Sequence, residues 1–284
     1  MILILIANIV YGQLLEQNFL VTSGIKAGID KGDSLYRAVF YVGIPQSYDG
    51  KINFRIFDAD LGGKYDNTVD ESETRYLIFG KNEISWNIFS INDSLISENP
   101  LVRLSLGKDK YYNNRWRTIG SFTKDQGESR NNLVYFQLVI DGISGAGRNL
   151  YQFFVSSKEN ENENISGIEI QSPAMSLRLS TAKDLATQIK FIVPKYAQYI
   201  NIYNFDADSA RSPSTIYFET NYRKNIKIAV SRDRKIKISK IEIIKINDKK
   251  RMKWREEKII FFNSFGFKSL FFRSKSLWFG IFLE

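Results

Sequence analysis

A short acidic segment that occurs twice constrains this chain more than any other feature of its sequence. Residues 52–66 read INFRIFDADLGGKYD, and residues 200–208 read INIYNFDAD. Each copy starts with alternating apolar residues, which is typical of a half-buried β-strand, and ends in residues typical of a turn. A segment that returns with the same internal order indicates a duplicated folding unit. We therefore expect the chain to fold one strand-and-turn unit twice.

Weaker matches extend this repeat along the chain. The matched segments are residues 40–45 with 189–194, 115–117 with 253–255, and 132–136 with 269–273. Their common order predicts a leader at residues 1–17, a first domain at 18–181 and a second at 182–284. Since no later residues match 141–179, we expect the second copy to be incomplete. An incomplete sheet exposes an edge strand, which favours self-association.

The residue pattern favours strands over helices throughout. Alternating Tyr, Phe, Ile and Val recur in short runs, for example at residues 35–44, 52–56, 101–106, 133–140 and 150–156. Turn residues separate these runs, and no segment has a convincing helical period. We therefore predict an all-β protein of two tandem β-sandwich domains, Ig-like or jelly-roll-like, with the second one incomplete.

The chain contains neither histidine nor cysteine. Their absence excludes Ser-His-Asp and Cys-His catalysis, zinc sites built from Cys and His, and disulfide bonds. Any metal must then be a hard cation held by carboxylate, carbonyl and water oxygens. No acidic pair is singled out as a glycosidase site. We therefore predict that the protein is not an enzyme.

The basic charge is local to the end of the chain. Residues 221–284 carry 18 of the 40 Lys and Arg but only 6 of the 31 Asp and Glu. Lysine alternates with isoleucine at residues 235–243, which puts the lysines on the wet face of a predicted strand. No nucleic-acid-binding motif accompanies the charge, so we expect no nucleic-acid partner. An anionic polymer or a lipid surface is the alternative partner for these lysines.

The first residues resemble an export signal. Residues 1–12 read MILILIANIVYG, an apolar run that is too short to span a bilayer. Such a run fits the core of a signal peptide, although it lacks the usual preceding Lys or Arg. We expect export to the periplasm, outer membrane or cell surface, with a buried first strand as the alternative. The later apolar runs are interrupted by charges, so no transmembrane span is predicted.

Acidic residues near the repeated segment suggest a calcium site. Asp58 and Asp60 are two residues apart at the end of a predicted strand, so their carboxylates project to one side. Asp66 adds an oxygen ligand from the same loop. Asp141 and Asn149 bracket a glycine-rich loop and would complete the shell if both loops share one end of the sandwich. A flexible cage of six to eight oxygens suits Ca²⁺.

A purely structural interpretation of the same residues stays open. Asp58 and Asp60 could accept backbone N–H groups in an Asx-type turn and bind no metal. The second copy keeps Asp206 and Asp208, but Arg211 follows them, and an arginine discourages a cation. We therefore expect calcium, if bound, in the first domain.

Exposed aromatic residues suggest an alternative function in carbohydrate binding. Tyr65, Tyr111 and Tyr112 lie in predicted loops, where their rings could stack on sugars. Trp116 lies nearby, but the repeat matches it with Trp254. A repeated tryptophan is more often part of a core than of a ligand platform.

Several motifs together resemble a known kind of module. These are IPQSY at residues 44–48, FDADLGG at 57–63, NNRWRTIGSF at 113–122 and DGISGAGRNLYQFFVS at 141–156. With them, residues 20–181 resemble β-sandwich modules in the N-terminal regions of exported Bacteroidetes-type cell-envelope proteins, many of which carry an OmpA-like peptidoglycan-binding domain further on. No OmpA-like segment is present here. The resemblance implies a non-catalytic structural or adhesive module whose partner is an envelope protein or a glycan.

Overall fold

A computed structural model describes residues 20–26, 36–62, 66, 72–86, 98–108 and 111–178, followed by the backbone of separate strands between residues 187 and 283. Side chains are described as far as residue 172. The predicted leader at residues 1–17 and Tyr65 lie outside the described residues. The same applies to Asp206 and Trp254 of the second copy.

Nineteen strands account for nearly all regular structure in these ranges. The first ten are β1 (Leu20–Ser23), β2 (Arg37–Pro45), β3 (Ile52–Phe57), β4 (Glu73–Phe79), β5 (Val102–Leu106), β6 (Trp116–Phe122), β7 (Glu128–Arg130), β8 (Leu133–Ser144), β9 (Arg148–Ser156) and β10 (Glu169–Arg178). The others are β11 (Thr187–Val193), β12 (Tyr199–Phe205), β13 (Asp208–Ser209), β14 (Ser212–Pro213), β15 (Thr215–Glu219), β16 (Ile226–Ile228), β17 (Lys237–Glu242), β18 (Arg255–Phe262) and β19 (Ser276–Leu283).

The prediction of an all-β fold is confirmed. The described residues form no α-helix, and their only helical turn is a 3-10 turn at Lys124–Gln126. Within the same ranges, the chain has no helix with the length and apolarity needed to traverse a lipid bilayer.

The strands of the first domain form two antiparallel layers that join at β10. Their order along the hydrogen-bonded path is β5-β4-β8-β2-β10-β1-β9-β3-β6. The first half of β10 pairs with β2, and its second half pairs with β1. An irregularity between Gln171 and Ala174 separates the halves and includes Pro173, which has no N–H to donate to a ladder. One strand therefore passes from one layer to the other.

The main core lies between the two layers. Alternate residues of β2, β3, β8 and β9 point inwards, as the two-residue period of a strand requires. The Phe40 ring of β2 contacts the Phe153 ring of β9 with 4.8 Å between centroids, and Phe54 of β3 lies 5.9 Å from Phe136 of β8. Each contact joins one layer to the other. Burying each such ring contributes about 2–3 kcal/mol, so this core holds the layers together.

A second, smaller apolar cluster covers the outer face of the β4-β8-β2 layer. The segment after β4 folds back over this face, where the Trp86 ring stacks on Tyr41 with 5.1 Å between centroids. Gln137 fixes the segment, because its amide both accepts from the Ser85 N–H and donates to the Ser85 carbonyl, at 3.1 Å each. This layer is therefore buried on both faces.

The later strands are connected to the first domain through β10. Strand β19 pairs with residues 175–178 of β10 on one side and with β12 on the other, and β12 also pairs with β17. A separate sheet has the order β11-β18-β15-β16. One ladder of strands therefore continues across the boundary that the sequence places after residue 181.

Candidate metal site

The acidic segment that follows β3 begins with a sharp change of backbone direction. Ile52, Phe54 and Ile56 place β3 in the core, and the strand ends at Phe57. Asp58 then adopts a left-handed conformation with φ of 56°, which Asp and Asn tolerate better than most residues. Asp58, Ala59 and Asp60 are all completely buried after this turn. This turn therefore places the carboxylates of Asp58 and Asp60 in the protein interior.

Asp58 and Asp60 bind the turn at residues 111–115, which leads into β6. The Asn114 N–H donates to Asp58 Oδ1 at 2.5 Å, and the Tyr112 N–H donates to Asp60 Oδ2 at 3.1 Å. The Asp58 N–H in turn donates to the Arg115 carbonyl at 3.1 Å. These carboxylates therefore accept backbone N–H groups, as the structural alternative expects. The donors belong to a distant loop, however, and the arrangement is no local Asx turn.

Asp66 connects the same acidic segment to β9. Its Oδ2 accepts the Gly62 N–H at 2.9 Å, and its Oδ1 accepts the Leu150 N–H at 2.7 Å. Gly62 has a φ of 140°, a conformation that disfavours any residue with a side chain. Asp66 thus folds the segment back against the strand that carries Asn149.

Asn149 approaches the acidic segment from β9. Its Nδ2 donates to the Ala59 carbonyl at 3.0 Å and to Tyr76 Oη at 2.9 Å. The Tyr76 hydroxyl donates to the same Ala59 carbonyl at 2.7 Å. The Tyr76 and Asn149 side chains are fully buried. Their hydrogen bonds to each other and to the Ala59 carbonyl fix the backbone between Asp58 and Asp60.

Two buried oxygens at this place lack a hydrogen-bond donor. Asp58 Oδ2 and Asn149 Oδ1 are enclosed by protein and accept no hydrogen bond from the described residues. A buried acceptor without a donor costs about 1–3 kcal/mol, and more when it carries charge. A cation or a hydrogen-bond donor that contacted Asp58 Oδ2 and Asn149 Oδ1 would remove this cost.

The electrostatics of the cluster also favour a positive charge. Burial raises the pKa of Asp58 to about 6, against the opposing effect of the Asn114 N–H. Burial raises the pKa of Asp66 to about 8; two backbone N–H groups oppose this shift, whereas the charges of Asp58 and Asp60 add to it. Asp58 and Asp60 therefore lie close enough to Asp66 for their charges to disfavour its ionisation. Neutralisation by protons or by a cation relieves the repulsion.

The oxygen chemistry fits a hard cation, but the carboxylates do not form a finished cage. In the ranges that the structure describes, no group of three or more Asp, Glu, His or Cys side chains is arranged to hold a metal ion. The available donors are instead carboxylate oxygens and the amide oxygen of Asn149. Calcium accepts such a mixed and irregular set more readily than magnesium, which requires a near-ideal octahedron.

Asp141 lies apart from this cluster, in an ion pair that the sequence did not suggest. Its Oδ1 accepts from Arg37 Nε at 2.5 Å, and its Oδ2 accepts from an Arg75 terminal nitrogen at 2.7 Å. Strand register places both arginines directly opposite Asp141, on β2 and β4. Two guanidinium groups satisfy this carboxylate, so the structure groups four of the five predicted calcium ligands and separates Asp141 from them.

The predicted sugar-binding tyrosines differ in their surroundings. Tyr111 is 55% exposed, and the Arg117 guanidinium lies 4.2 Å from its ring centroid. Tyr112 is half-buried against the core, with its ring 5.0 Å from that of Tyr111 and nearly perpendicular to it. Trp116 packs between Phe57 and Phe154 at 5.5 and 5.1 Å. Trp116 is therefore a packing residue, whereas Tyr111 presents a ring to solvent.

Sequence reasoning missed the residues that complete the acidic cluster. The backbone N–H groups of Tyr112 and Asn114 carry no side-chain pattern, although the Asn113-Asn114 dipeptide does indicate a turn. Tyr76 resembled an ordinary strand residue. Only the fold brings these groups to Asp58 and Asn149.

Comparisons with protein-family models, with curated proteins and with solved structures found no match to this chain. The assignment of a function therefore depends on the geometry described above.

Proposed function

We propose that this chain is a non-catalytic, exported β-sandwich protein with a structural or adhesive role at the bacterial cell envelope, and that Ca²⁺ stabilises its first domain. The cation would bind between the segment at residues 58–66 and the start of β9. The observation that carries the calcium proposal is the pair of buried oxygens without donors, Asp58 Oδ2 and Asn149 Oδ1, beside the carboxylates of Asp60 and Asp66.

The chemistry of the cluster supports a cation over protons alone. A proton on Asp66 relieves repulsion with Asp58 and Asp60 but supplies no donor to the Asn149 amide oxygen. A calcium ion interacts with carboxylate and amide oxygens together and tolerates an irregular shell completed by water. Because the described side chains form no finished cage, we expect Asp58 and Asp66 to move towards the ion when it binds.

The structural role follows from what the cluster joins. Asp58 holds the turn at residues 111–115, Asp66 holds β9, and Asn149 holds Ala59. A bound cation would therefore fasten one end of the layer that contains β9, β3 and β6. Calcium that binds only the folded state would raise the stability of the domain by mass action, which suits a structural module of the cell envelope.

Thermal unfolding in calcium and in chelator tests this proposal. At a free calcium concentration of about 100 times Kd, binding adds about 2.7 kcal/mol to the free energy of unfolding. For a domain of this size we expect Tm to rise by about 5–11 °C. Asp58→Asn should abolish the rise, because it removes the charge yet tolerates the left-handed backbone and retains an acceptor for Asn114.

Asp49→Asn provides the matched control. Asp49 lies in an exposed turn, with a side chain that is 77% accessible, and pairs with Lys124 at the surface. This variant should keep the full calcium response. Equal Tm values in calcium and chelator for the parent protein would contradict the proposed site.

A second candidate function, carbohydrate binding, is supported by Tyr111 alone. Its exposed ring beside the Arg117 guanidinium offers a stacking surface next to a hydrogen-bond donor. Glycan-array binding that is lost in Tyr111→Ala, with an unchanged Tm, would favour this function. An array without signal would leave the structural role as the better candidate.

A further inference from the structure

The pairing of the later strands repeats the pairing of the first domain. In the first domain, β2 pairs with β8, β8 with β4, and β4 with β5. After residue 186, β11 pairs with β18, β18 with β15, and β15 with β16. The order along the chain is also the same. Each of these ladders is antiparallel, so one layer of the fold occurs twice.

The pairing of β3, in the other layer of the first domain, is also repeated among the later strands. Strand β3 pairs with β6 and with β9. Strand β12, which carries the second copy of the repeated segment, pairs with β17 and with β19. In this comparison β17 corresponds to β6, and β19 corresponds to β9.

The registers show which strand replaces β1 in the second unit. Phe57 faces Gln152 on β9, and its sequence counterpart Phe205 faces Trp278 on β19. The residues that precede Gln152 and Trp278 are Tyr151 and Leu277. Tyr151 faces Leu20 of β1, and Leu277 faces Leu177 of β10. Strand β10 therefore occupies beside β19 the position, in the same register, that β1 occupies beside β9.

This correspondence corrects the repeat alignment derived from the sequence. That alignment matched the residues around Trp116 with those around Trp254. The ladders instead place Arg255–Phe262 in the position of β8, and the counterpart of β6 is the lysine-rich strand Lys237–Glu242. Short aromatic and basic motifs matched by spacing alone were therefore misleading, whereas the strands of the repeated segment, β3 and β12, have corresponding pairing partners.

We propose that β10 is shared by two successive units, and that the second edge of β11 is a docking site for an extended polypeptide strand of the β10 type. In the first domain, β10 covers the edge of β2 opposite β8, pairing Ile170 with Val42 and Gln171 with Tyr41. Among the described strands, β11 pairs with β18 alone. Strand β11 corresponds to β2. We assign the incoming strand to the edge of β11 that does not pair with β18, because the equivalent edge of β2 is covered by β10.

The first domain shows what that strand contributes. Ile170 of β10 is buried in the main core, and the Ser172 hydroxyl donates to the Val39 carbonyl at 2.8 Å. Strand addition supplies backbone hydrogen bonds along the edge, and alternate side chains give specificity. The occupant is therefore an antiparallel strand with buried side chains at alternate positions, as Ile170 and Ser172 are at the start of β10.

A synthetic peptide copying residues 167–181, GIEIQSPAMSLRLST, tests the docking site on the full chain. We expect saturable binding and at least tenfold slower hydrogen–deuterium exchange of backbone amides at residues 187–193. Amides of β2 should not change, since β10 already covers that edge. A peptide with Ile170→Pro, which removes one donor and disfavours the ladder, should bind at least tenfold more weakly.

Two results would overturn the proposal. One is the absence of binding at millimolar peptide, and the other is binding that leaves exchange at residues 187–193 unchanged. If the chain forms dimers, a second copy is the occupant when the peptide dissociates them and the dimer protects residues 187–193. Dimers that the peptide leaves intact and that do not protect these residues would count against the proposal. None of these outcomes depends on calcium.

Discussion

Asp141→Asn gives the sharpest test of how the first domain is held together. Asp141 is 1% exposed and Arg37 is 4% exposed, and the two lie opposite each other on neighbouring strands. The substitution removes the negative charge of Asp141 from its contact with Arg37, and it leaves the guanidinium buried. Breaking a buried ion pair from one side costs about 3–5 kcal/mol, because the remaining buried charge loses the compensation that the removed carboxylate supplied.

The expected fall in Tm follows from this cost. A domain of 150–250 residues loses about 2–4 °C for each kcal/mol, so Asp141→Asn should lower Tm by roughly 6–20 °C. Differential scanning calorimetry or urea unfolding measures the change. The double variant Arg37→Met/Asp141→Leu should recover most of the loss, since apolar residues of similar volume often replace a buried pair without net cost.

The same variant separates Asp141 from the proposed calcium site. Because its carboxylate faces two arginines, Asp141→Asn should keep the calcium-dependent rise in Tm that Asp58→Asn loses. A stability loss below 1 kcal/mol would refute the ion-pair argument. Loss of the calcium response in Asp141→Asn, with retained fold, would show that Asp141 is a ligand as the sequence first suggested.

Three further predictions concern the same domain. In chelator, the folded state keeps protons on Asp58 and Asp66 that the unfolded chain releases above pH 4, so the free energy of unfolding should fall by roughly 5 kcal/mol between pH 5 and 9 in urea titrations, and calcium should flatten this dependence. Tyr76→Phe removes the hydroxyl bonded to Ala59 and Asn149, so chemical unfolding should show a loss of about 1–3 kcal/mol. Gly142→Ala would place a Cβ 2.0 Å from the Ser23 carbonyl oxygen, and the forced backbone shift should lower the free energy of unfolding by about 1–3 kcal/mol or more. Gly107→Ala is the matched control, because its Cβ would lie at an ordinary contact distance of 3.7 Å from the Ser72 carbonyl oxygen.

Local patterns in the sequence were sufficient to find most strands of the first domain. Alternating apolar residues placed strands at residues 52–56 and 133–140, and the structure has Ile52–Phe57 and Leu133–Ser144 there. The extension of the second strand beyond Ile140 was not predictable from periodicity. It arises because β8 continues to pair with β4 through Asp141 and Gly142, past a shift in register. Tertiary pairing overrides the turn tendency of the Asp-Gly dipeptide at this place.

The candidate site was predictable only where its residues are close in sequence. Asp58 and Asp60 follow one strand and were expected to lie together, and both accept backbone N–H groups from the turn at residues 111–115. Asp141 failed this expectation because its neighbours depend on register: Arg37 and Arg75 face it only when three distant strands align. A shift of one residue would reverse the face of every side chain, so register cannot be read from one strand alone.

The acidic cluster and strand β10 hold together separate parts of the protein. The acidic cluster joins β3, β9 and the turn at residues 111–115 through carboxylates, so its strength depends on cation concentration and pH. Strand β10 pairs with β2 and with β19 through backbone ladders, which depend on neither cation concentration nor pH. Removal of calcium by a chelator should therefore increase hydrogen–deuterium exchange of backbone amides near the acidic cluster and leave exchange at β11 unchanged. If chelation instead increased exchange at residues 187–193, the acidic cluster and strand β10 would belong to one cooperative unit and would not be independent.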